Sequence, residues 1–301
     1  MYDVIVIGGG AAGYGAALYA ARYKLDTLLI AKEFGGTGME AHLVENWIGE
    51  PSISGIDLMD KFKKHVTHSG VKTLNEEVLE LKKDGGIFKI KTAKKELEAR
   101  SIIFSAGMKH RHLNCPGELH FQGKGVSYCF TCDGPLYKDK IVAIVGGSDA
   151  AATGALLLAE YAKKVYVIYR RDRLRAEPIT SERVYAHPKI EVLHNTNIVE
   201  IKGSKFVEKI HTDDHKDISV DGVFVQIGAE PNNNLAVSIG VDINEFGFVI
   251  VDKNQATNIS GFFAAGDISD KSELKQFITA AAEGSIASYS AYKYVTREFK
   301  K

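Results

Sequence analysis

The sequence predicts an α/β fold with two Rossmann-like units in one chain. Two observations predict it. A series of apolar strand, glycine turn, small-residue helix and second apolar strand opens the chain over residues 2–31, and the same series recurs over residues 140–169. The balance of 29 glycines against 6 prolines also suits tight turns between packed elements better than disordered linkers.

The first unit begins with residues 2–7 (YDVIVI), a β-branched apolar run. Gly8, Gly10 and Gly13 then form G-x-G-x-x-G at the strand-to-helix turn. Small residues are required there because the turn is tight, the backbone must approach a pyrophosphate, and the helix must pack close on the strand. The helix, from about residue 11 to 23, turns its unpaired N–H groups and positive dipole end toward the phosphates. The next strand, residues 27–31, runs into Lys32 and Glu33 with no acid on its last residue. Either Glu33 or backbone serves the ribose, and the sequence leaves that contact open.

The second unit reads KIVAIV over residues 140–145, then Gly146-Gly147-Ser148-Asp149-Ala150-Ala151, a helix over 152–163 and a strand over 165–169. Its middle glycine is Ser148, which adds a side chain where backbone should meet phosphate. One reading is a βαβ scaffold that no longer binds tightly. The strand end argues for a working site: Tyr169-Arg170-Arg171-Asp172-Arg173-Leu174-Arg175 falls about 20 residues after the glycines, where the ribose is read. An NAD site places an acid there, whereas arginines fit a 2′-phosphate through bidentate charge-assisted bonds. NADPH is therefore favoured over NADH.

The remaining pattern gives short strands at 86–91 and 97–105, a turn and linker at 114–118, and a boundary near Pro231. Beyond it, 246–251 reads as a strand, 261–267 as an apolar strand ending in Gly266-Asp267, and a last amphipathic helix starts near Gln276. Residues 297–301 read as a solvated, fraying end. The 38 basic and 38 acidic residues cancel, so nothing points to nucleic acid or a membrane surface as partner. The opening strand has no basic leader or cleavage site, and no apolar run is long enough to span a bilayer. A soluble cytoplasmic protein is expected.

Cys129-Phe130-Thr131-Cys132-Asp133 stands directly ahead of the second unit. The pair is open to three readings: metal clip, structural staple or redox centre. A structural zinc site needs four ligands, usually two close pairs. Here Cys115 is alone, and His110, His112 and His120 do not follow the zinc spacing. A reducing compartment disfavours a staple. A dithiol with two intervening residues passes two electrons to another disulfide through a mixed disulfide, which fits better. Asp133 is either an acid–base group or a turn residue, since Asp-Gly-Pro is strong turn chemistry. Cys115 reads as a bystander.

Taken together these motifs resemble the low-molecular-weight thioredoxin reductases of bacteria and archaea, flavoproteins with two dinucleotide-binding domains. The resemblance runs from Tyr2 to about Tyr294. It rests on Gly8-x-Gly10-x-x-Gly13, Val44-Glu45-Asn46-Trp47-Ile48-Gly49, Cys129-x-x-Cys132-Asp133, the arginine strand end, and Ala264-Ala265-Gly266-Asp267 followed by Gln276. The cysteine pair is the most specific, because other flavoprotein disulfide reductases carry theirs near the N-terminus.

The resemblance implies a discontinuous FAD domain, residues 1–112 and 243–301, with an NAD(P)H domain, 113–242, inserted. It implies FAD contacts at Gly8, Gly10, Ala11, Ala12, Gly13, Glu33, Gly36, Asn46, Gly107, Gly266, Asp267, Lys275, Gln276 and Phe277. Asp267 would bond the ribityl chain, and the helix after Gln276 would face the isoalloxazine pyrimidine. NADPH contacts are implied at Gly146, Ser148, Asp149, Ala150, Arg170, Arg171 and Arg175. Cys132 would accept electrons from the flavin, Cys129 would attack the partner's disulfide, and Asp133 would move the proton. No metal site is expected. The partner would be a thioredoxin- or glutaredoxin-like protein, and the enzyme a homodimer whose inserted domain rotates on hinges near Pro116-Gly117 and Pro231. Two alternatives stay in play: the same dithiol chemistry fed by NADH or a ferredoxin-like protein, or a flavin or zinc redox sensor that does not turn over.

Overall fold

The structure, a computed structural model, describes residues 1–41, 44 and 46–299. Glu45 of the 44–49 motif, and Lys300 and Lys301 of the expected solvated end, lie outside the described residues. In chain order the first stretch gives β1 (Tyr2–Gly9), α1 (Ala11–Arg22), β2 (Thr27–Phe34), α2 (Gly55–His68), β3 (Lys72–Asn75), β4 (Val78–Asp84), β5 (Ile87–Thr92), β6 (Glu96–Phe104) and β7 (Met108–His110). Then follow β8 (Val126–Ser127), α3 (Phe130–Asp133), β9 (Ile141–Val145), α4 (Asp149–Tyr161), β10 (Lys164–Ile168), α5 (Pro178–Ala186) and β11 (Ile190–Leu193). The chain continues through β12 (Ile198–Gly203), β13 (Val207–Thr212), β14 (Asp217–Ser219), β15 (Gly222–Val225), β16 (Ala229–Pro231), α6 (Asn234–Val237), β17 (Phe262–Ala264) and α7 (Phe277–Phe299).

Two compact units result, Met1–Lys109 with Glu230 onward, and His110–Ala229. In the first, β3, β2, β1, β6 and β17 form a parallel sheet, and β4 and β5 continue it antiparallel from β6. Val4, Ile5 and Val6 of β1 are fully buried, as a parallel strand covered on both faces requires. In the second, β11, β10, β9, β15 and β8 form a parallel sheet beside the antiparallel trio β12, β13 and β14.

Three features differ from the sequence reading. Residues 246–251 form no strand: Phe246 and Phe248 N–H groups bond the Asn244 side chain, Gly247 has φ +85°, and Val249 makes only isolated bridges to Ile243 and Ser269. Residues 230–242 pack with the first unit, where Ala236 and Val241 join a core cluster with Ile5, Phe104 and Phe262. Pro116-Gly117 is not at a crossing between units, because the Pro116 carbonyl accepts from Ile201 N–H and a Cβ on Gly117 would lie 2.0 Å from the Ile201 oxygen.

Candidate functional site

Each glycine of the first turn answers a different demand. Gly8 has φ +117°, and a Cβ on it would lie 2.1 Å from the Ser105 oxygen. A Cβ on Gly13 would lie 1.8 Å from the Gly8 oxygen, so this glycine lets α1 close on β1. A Cβ on Gly10 would meet nothing within 4 Å. Gly10 is the N-cap of α1, and no side chain caps that helix. The first-turn N–H groups are therefore left for a ligand.

Gly10 opens onto two adjoining cavities. One, of about 430 Å³, is lined by Gly8, Ala31, Glu33, Gly36 and Gly107 among others. The other, of about 210 Å³, is lined by Ala11, Ala12, Asp267, Lys275, Gln276 and Phe277 among others. Gly10, Thr37, Ser105 and Gly107 belong to both walls. Two cavities meeting at an uncapped helix N-terminus have the shape and donors that a dinucleotide requires, with its pyrophosphate between them. Of the residues the sequence assigns to the flavin, Gly13, Asn46 and Gly266 are not part of these walls. Asn46 Nδ2 donates to Gln276 Oε1 at 3.0 Å, and a Cβ on Gly266 would lie 2.7 Å from the Ala12 methyl.

Asp267 is half-buried, and burial pushes its carboxyl above the ordinary range, with Lys275 opposing. Lys275 Nζ donates to the Ser269 oxygen at 2.6 Å and lies over the Phe248 ring. The sequence reading missed Glu283, a buried carboxylate on α7 whose Oε2 accepts from Gly266 N–H at 2.8 Å and from Ser269 Oγ at 3.1 Å.

The second turn keeps the backbone of the first. Gly146 has φ +144°, and its Cβ would lie 2.2 Å from the Gln226 oxygen. Ser148 takes Gly10's place as N-cap, with φ −92° and ψ −179° against −84° and −168°. Its hydroxyl does not cap α4. The chain after β10 folds back over the turn: Arg175 N–H donates to the Gly147 oxygen at 2.6 Å, and Glu177 N–H to Asp149 Oδ1 at 2.7 Å. The Tyr169 ring covers Gly147, and its hydroxyl is buried without a partner. Arg170, Arg171 and Arg175 are exposed, as are Asp149 and Ala150. Among the described residues no ion pair engages these three arginines, so their charge is available to an anion beside the helix N-terminus.

Cys129 and Cys132 are joined as a disulfide with Cα atoms 5.3 Å apart. Cys129 is half-buried as the N-cap of α3, and Cys132 is exposed. Cys132 N–H donates to Cys129 Sγ at 3.1 Å, so the sulfur itself caps α3. Ser127 Oγ accepts from Cys129 N–H, and Gln226 Nε2 holds the Tyr128 oxygen, which fixes the approach to the pair. Asp133 ends α3 half-buried, its N–H on the Cys129 oxygen. Cys115 is half-buried among apolar side chains, and burial with the Glu118 charge pushes its thiol up to about 11, which leaves it a poor nucleophile at neutral pH. Among the described residues no group of three or more His, Cys, Asp or Glu side chains converges as a metal site, and no helix is long and apolar enough to cross a membrane.

The family described as pyridine nucleotide-disulphide oxidoreductase matches residues 2–284. A thioredoxin reductase of Peptoclostridium acidaminophilum is 37% identical, over 100% of this chain and 99% of that protein. The crystal structure of the Lactococcus lactis thioredoxin reductase superposes with a TM-score of 0.88 at 33% identity, over 99% of this chain and 100% of that one. A ferredoxin-flavin thioredoxin reductase of Clostridium acetobutylicum superposes with a TM-score of 0.55 at 33% identity, over 99% of each chain.

Proposed function

This chain belongs to the pyridine nucleotide-disulphide oxidoreductase family, among the low-molecular-weight thioredoxin reductases, and on that premise we propose that it carries electrons from NADPH through FAD and the Cys129–Cys132 pair to a thioredoxin- or glutaredoxin-like protein. The observation that carries the choice of NADPH is the trio Arg170, Arg171 and Arg175, exposed and without ion-pair partners among the described residues, beside the uncapped N-terminus of α4. Carboxylates at that strand end would repel a 2′-phosphate, whereas guanidinium forks bind it.

The joined cavities of the first unit take FAD in this reading. Gly10, Ala11 and Ala12 hold the pyrophosphate, Glu33 and Gly36 lie along the adenosine side, and Asp267, Lys275, Gln276 and Phe277 line the flavin side. Bound there, FAD would supply a two-electron carrier, able to accept a hydride from nicotinamide and to pass both electrons to a disulfide. With two protons these electrons open Cys129–Cys132 to the dithiol, Cys132 being the sulfur that receives them. Cys129, as thiolate, attacks the partner's disulfide; a mixed disulfide forms and the partner's other sulfur leaves as thiolate. Asp133 delivers the proton to that leaving group. Cys132 then attacks the Cys129 sulfur, which re-forms the intrachain disulfide and releases the reduced partner.

The same reading makes the protein a cytoplasmic homodimer, and an apolar groove of about 400 Å³ that Tyr14, Leu18, Trp47, Phe62 and Ile278 help to line supports the dimer alone.

A second reading rests on Ser148 and on the Tyr169 ring over Gly147, which crowd the phosphate turn; it replaces NADPH by a ferredoxin-like donor. Anaerobic stopped-flow bleaching of the bound flavin by NADPH, NADH and reduced ferredoxin separates the two. Fast bleaching by NADPH is expected. Fast bleaching by ferredoxin with none by NADPH sinks the first reading.

A further inference from the structure

Behind the cavity that Asp267 lines stands a second carboxylate that faces no ligand space. Glu283, on the first half of α7, is 7% exposed. Its Oε2 accepts from the N–H of Gly266, immediately before Asp267, at 2.8 Å and shares with the Gly266 oxygen the hydroxyl of Ser269, two residues after it, at 3.1 and 3.0 Å. Gly266 has φ +82°, and a Cβ there would press on the Ala12 methyl at 2.7 Å, so this turn is also seated on α1. Ser269 gives its carbonyl to Lys275 Nζ at 2.6 Å. α7 itself is locked to α1: a Cβ on Gly284 would lie 2.1 Å from the Ala12 oxygen, and Ser288 Oγ donates to the Ala16 oxygen. Glu283 thus stands on a fixed helix and grips both ends of the turn from which Asp267 projects into the cavity.

A buried carboxylate is an expensive acceptor, because burial disfavours its charge. It also holds donors more strongly than a neutral acceptor does. Two donors on one oxygen leave the turn little freedom. We propose that Glu283 is the positioning residue for Asp267: it fixes the 266–269 turn so that the Asp267 carboxylate points into the cavity, and through Asp267 it sets how tightly FAD is held. This rests on the reading of that cavity as the flavin site. Without Glu283, Gly266 N–H loses its buried acceptor and the Ser269 hydroxyl is left to the Gly266 oxygen alone, so the turn relaxes toward other partners, carrying Asp267 with it.

The test is FAD release from the purified holoenzyme, followed by flavin fluorescence, for wild type, Glu283→Ala, Glu283→Gln, Asp267→Ala and the double variant Glu283→Ala with Asp267→Ala. Glu283→Ala should raise the FAD dissociation constant by about tenfold, the cost of an unpaired Gly266 N–H and a loosened turn. Glu283→Gln keeps an acceptor oxygen and should stay within about threefold of wild type. On the Asp267→Ala background, Glu283→Ala should add less than about twofold, because a residue that acts through another has no separate effect once that one is gone. Additive losses in the double variant, or equal losses for Gln and Ala, overturn the proposal. If Glu283→Ala does not fold, Glu283→Asp, one methylene short of the turn, replaces it in both backgrounds with about a threefold effect expected on the first and none on the second. A purified wild type that holds no FAD overturns the reading of the cavity, and this proposal with it. A yellow wild type with additive losses overturns the proposal alone.

Discussion

At Gly10 the first unit leaves open space where a Cβ would stand; at the matching N-cap the second unit carries Ser148. The residues around these positions show how much of each turn belongs to the fold. Gly8 and Gly146 share a left-handed φ, and each has a carbonyl oxygen where a Cβ would go, Ser105 in one unit and Gln226 in the other. Those glycines are demanded by the chain itself. Gly13 is matched by Ala151, a fully buried methyl, so α4 accepts a side chain where α1 does not. What differs most is the ground beyond the turn. The first unit offers Ala31 and a cavity with the half-buried Asp267 and the buried Glu283 nearby, while the second offers Tyr169 and arginines that no ion pair engages among the described residues. Strand, turn and helix are common property, and the ligand is chosen by residues set on their edges.

The most severe way to break this comparison is to put a methyl where both units forbid it. Gly8→Ala should cost about 3 kcal/mol or more by urea unfolding, because it combines a left-handed φ with a clash against backbone that cannot give. Gly10→Ala, two residues along the same turn, should leave stability of the flavin-free chain within about 0.5 kcal/mol and weaken FAD retention instead. Equal destabilisation by the two would erase the division between fold and ligand glycines. Next in size is the arginine edge. Arg170→Ala with Arg171→Ala should raise the NADPH dissociation constant by about 30-fold, measured by calorimetry, and leave NADH within about twofold. Losses shared by both nucleotides would mean that these arginines do not read the 2′-phosphate.

How legible each part was in the sequence follows from how local its signal is. Both glycine turns, the cysteine pair and the arginine edge are contiguous runs, and each could be read where it stands. Glu283 could not, because its partner Gly266 lies 17 residues away and a glutamate on an amphipathic helix normally faces water. The Asn46–Gln276 bond spans 230 residues and left no local trace. Residues 246–251 misled because the run is almost continuously apolar and rich in aromatic and β-branched residues, yet the Asn244 side chain and Gly247 bend the chain into a turn. For α2 the signal was present and unread: Ser54 accepts from Asp57 N–H, a serine cap with an acid in the first turn.

A smaller effect decides what Ser148 does. Its backbone matches Gly10's, so the turn has not been reshaped to absorb it, and its Cβ projects where the first unit keeps space. Ser148→Gly should tighten NADPH binding by about threefold, since contact of phosphate with backbone N–H groups is restored. Weaker binding in that variant would mean that the serine hydroxyl is itself a phosphate donor.

The smallest effect concerns charge, where the two units differ in sign. Burial raises the carboxyl of Asp267, so folding favours its protonated form. A carboxyl raised by folding supports stability below its ordinary range and withdraws that support as pH rises through the folded value. Asp267→Asn removes the burden, so the flavin-free variant should be more stable than wild type at neutral pH by about 1 kcal/mol or less, and the gap should close as pH falls to about 4. Thermal unfolding of both proteins across that range checks it. The arginine edge faces water, so Arg171→Ala should leave the same curve unmoved. A pH-independent gap for Asp267→Asn would mean that packing, rather than a buried charge, sets the first site apart from the second.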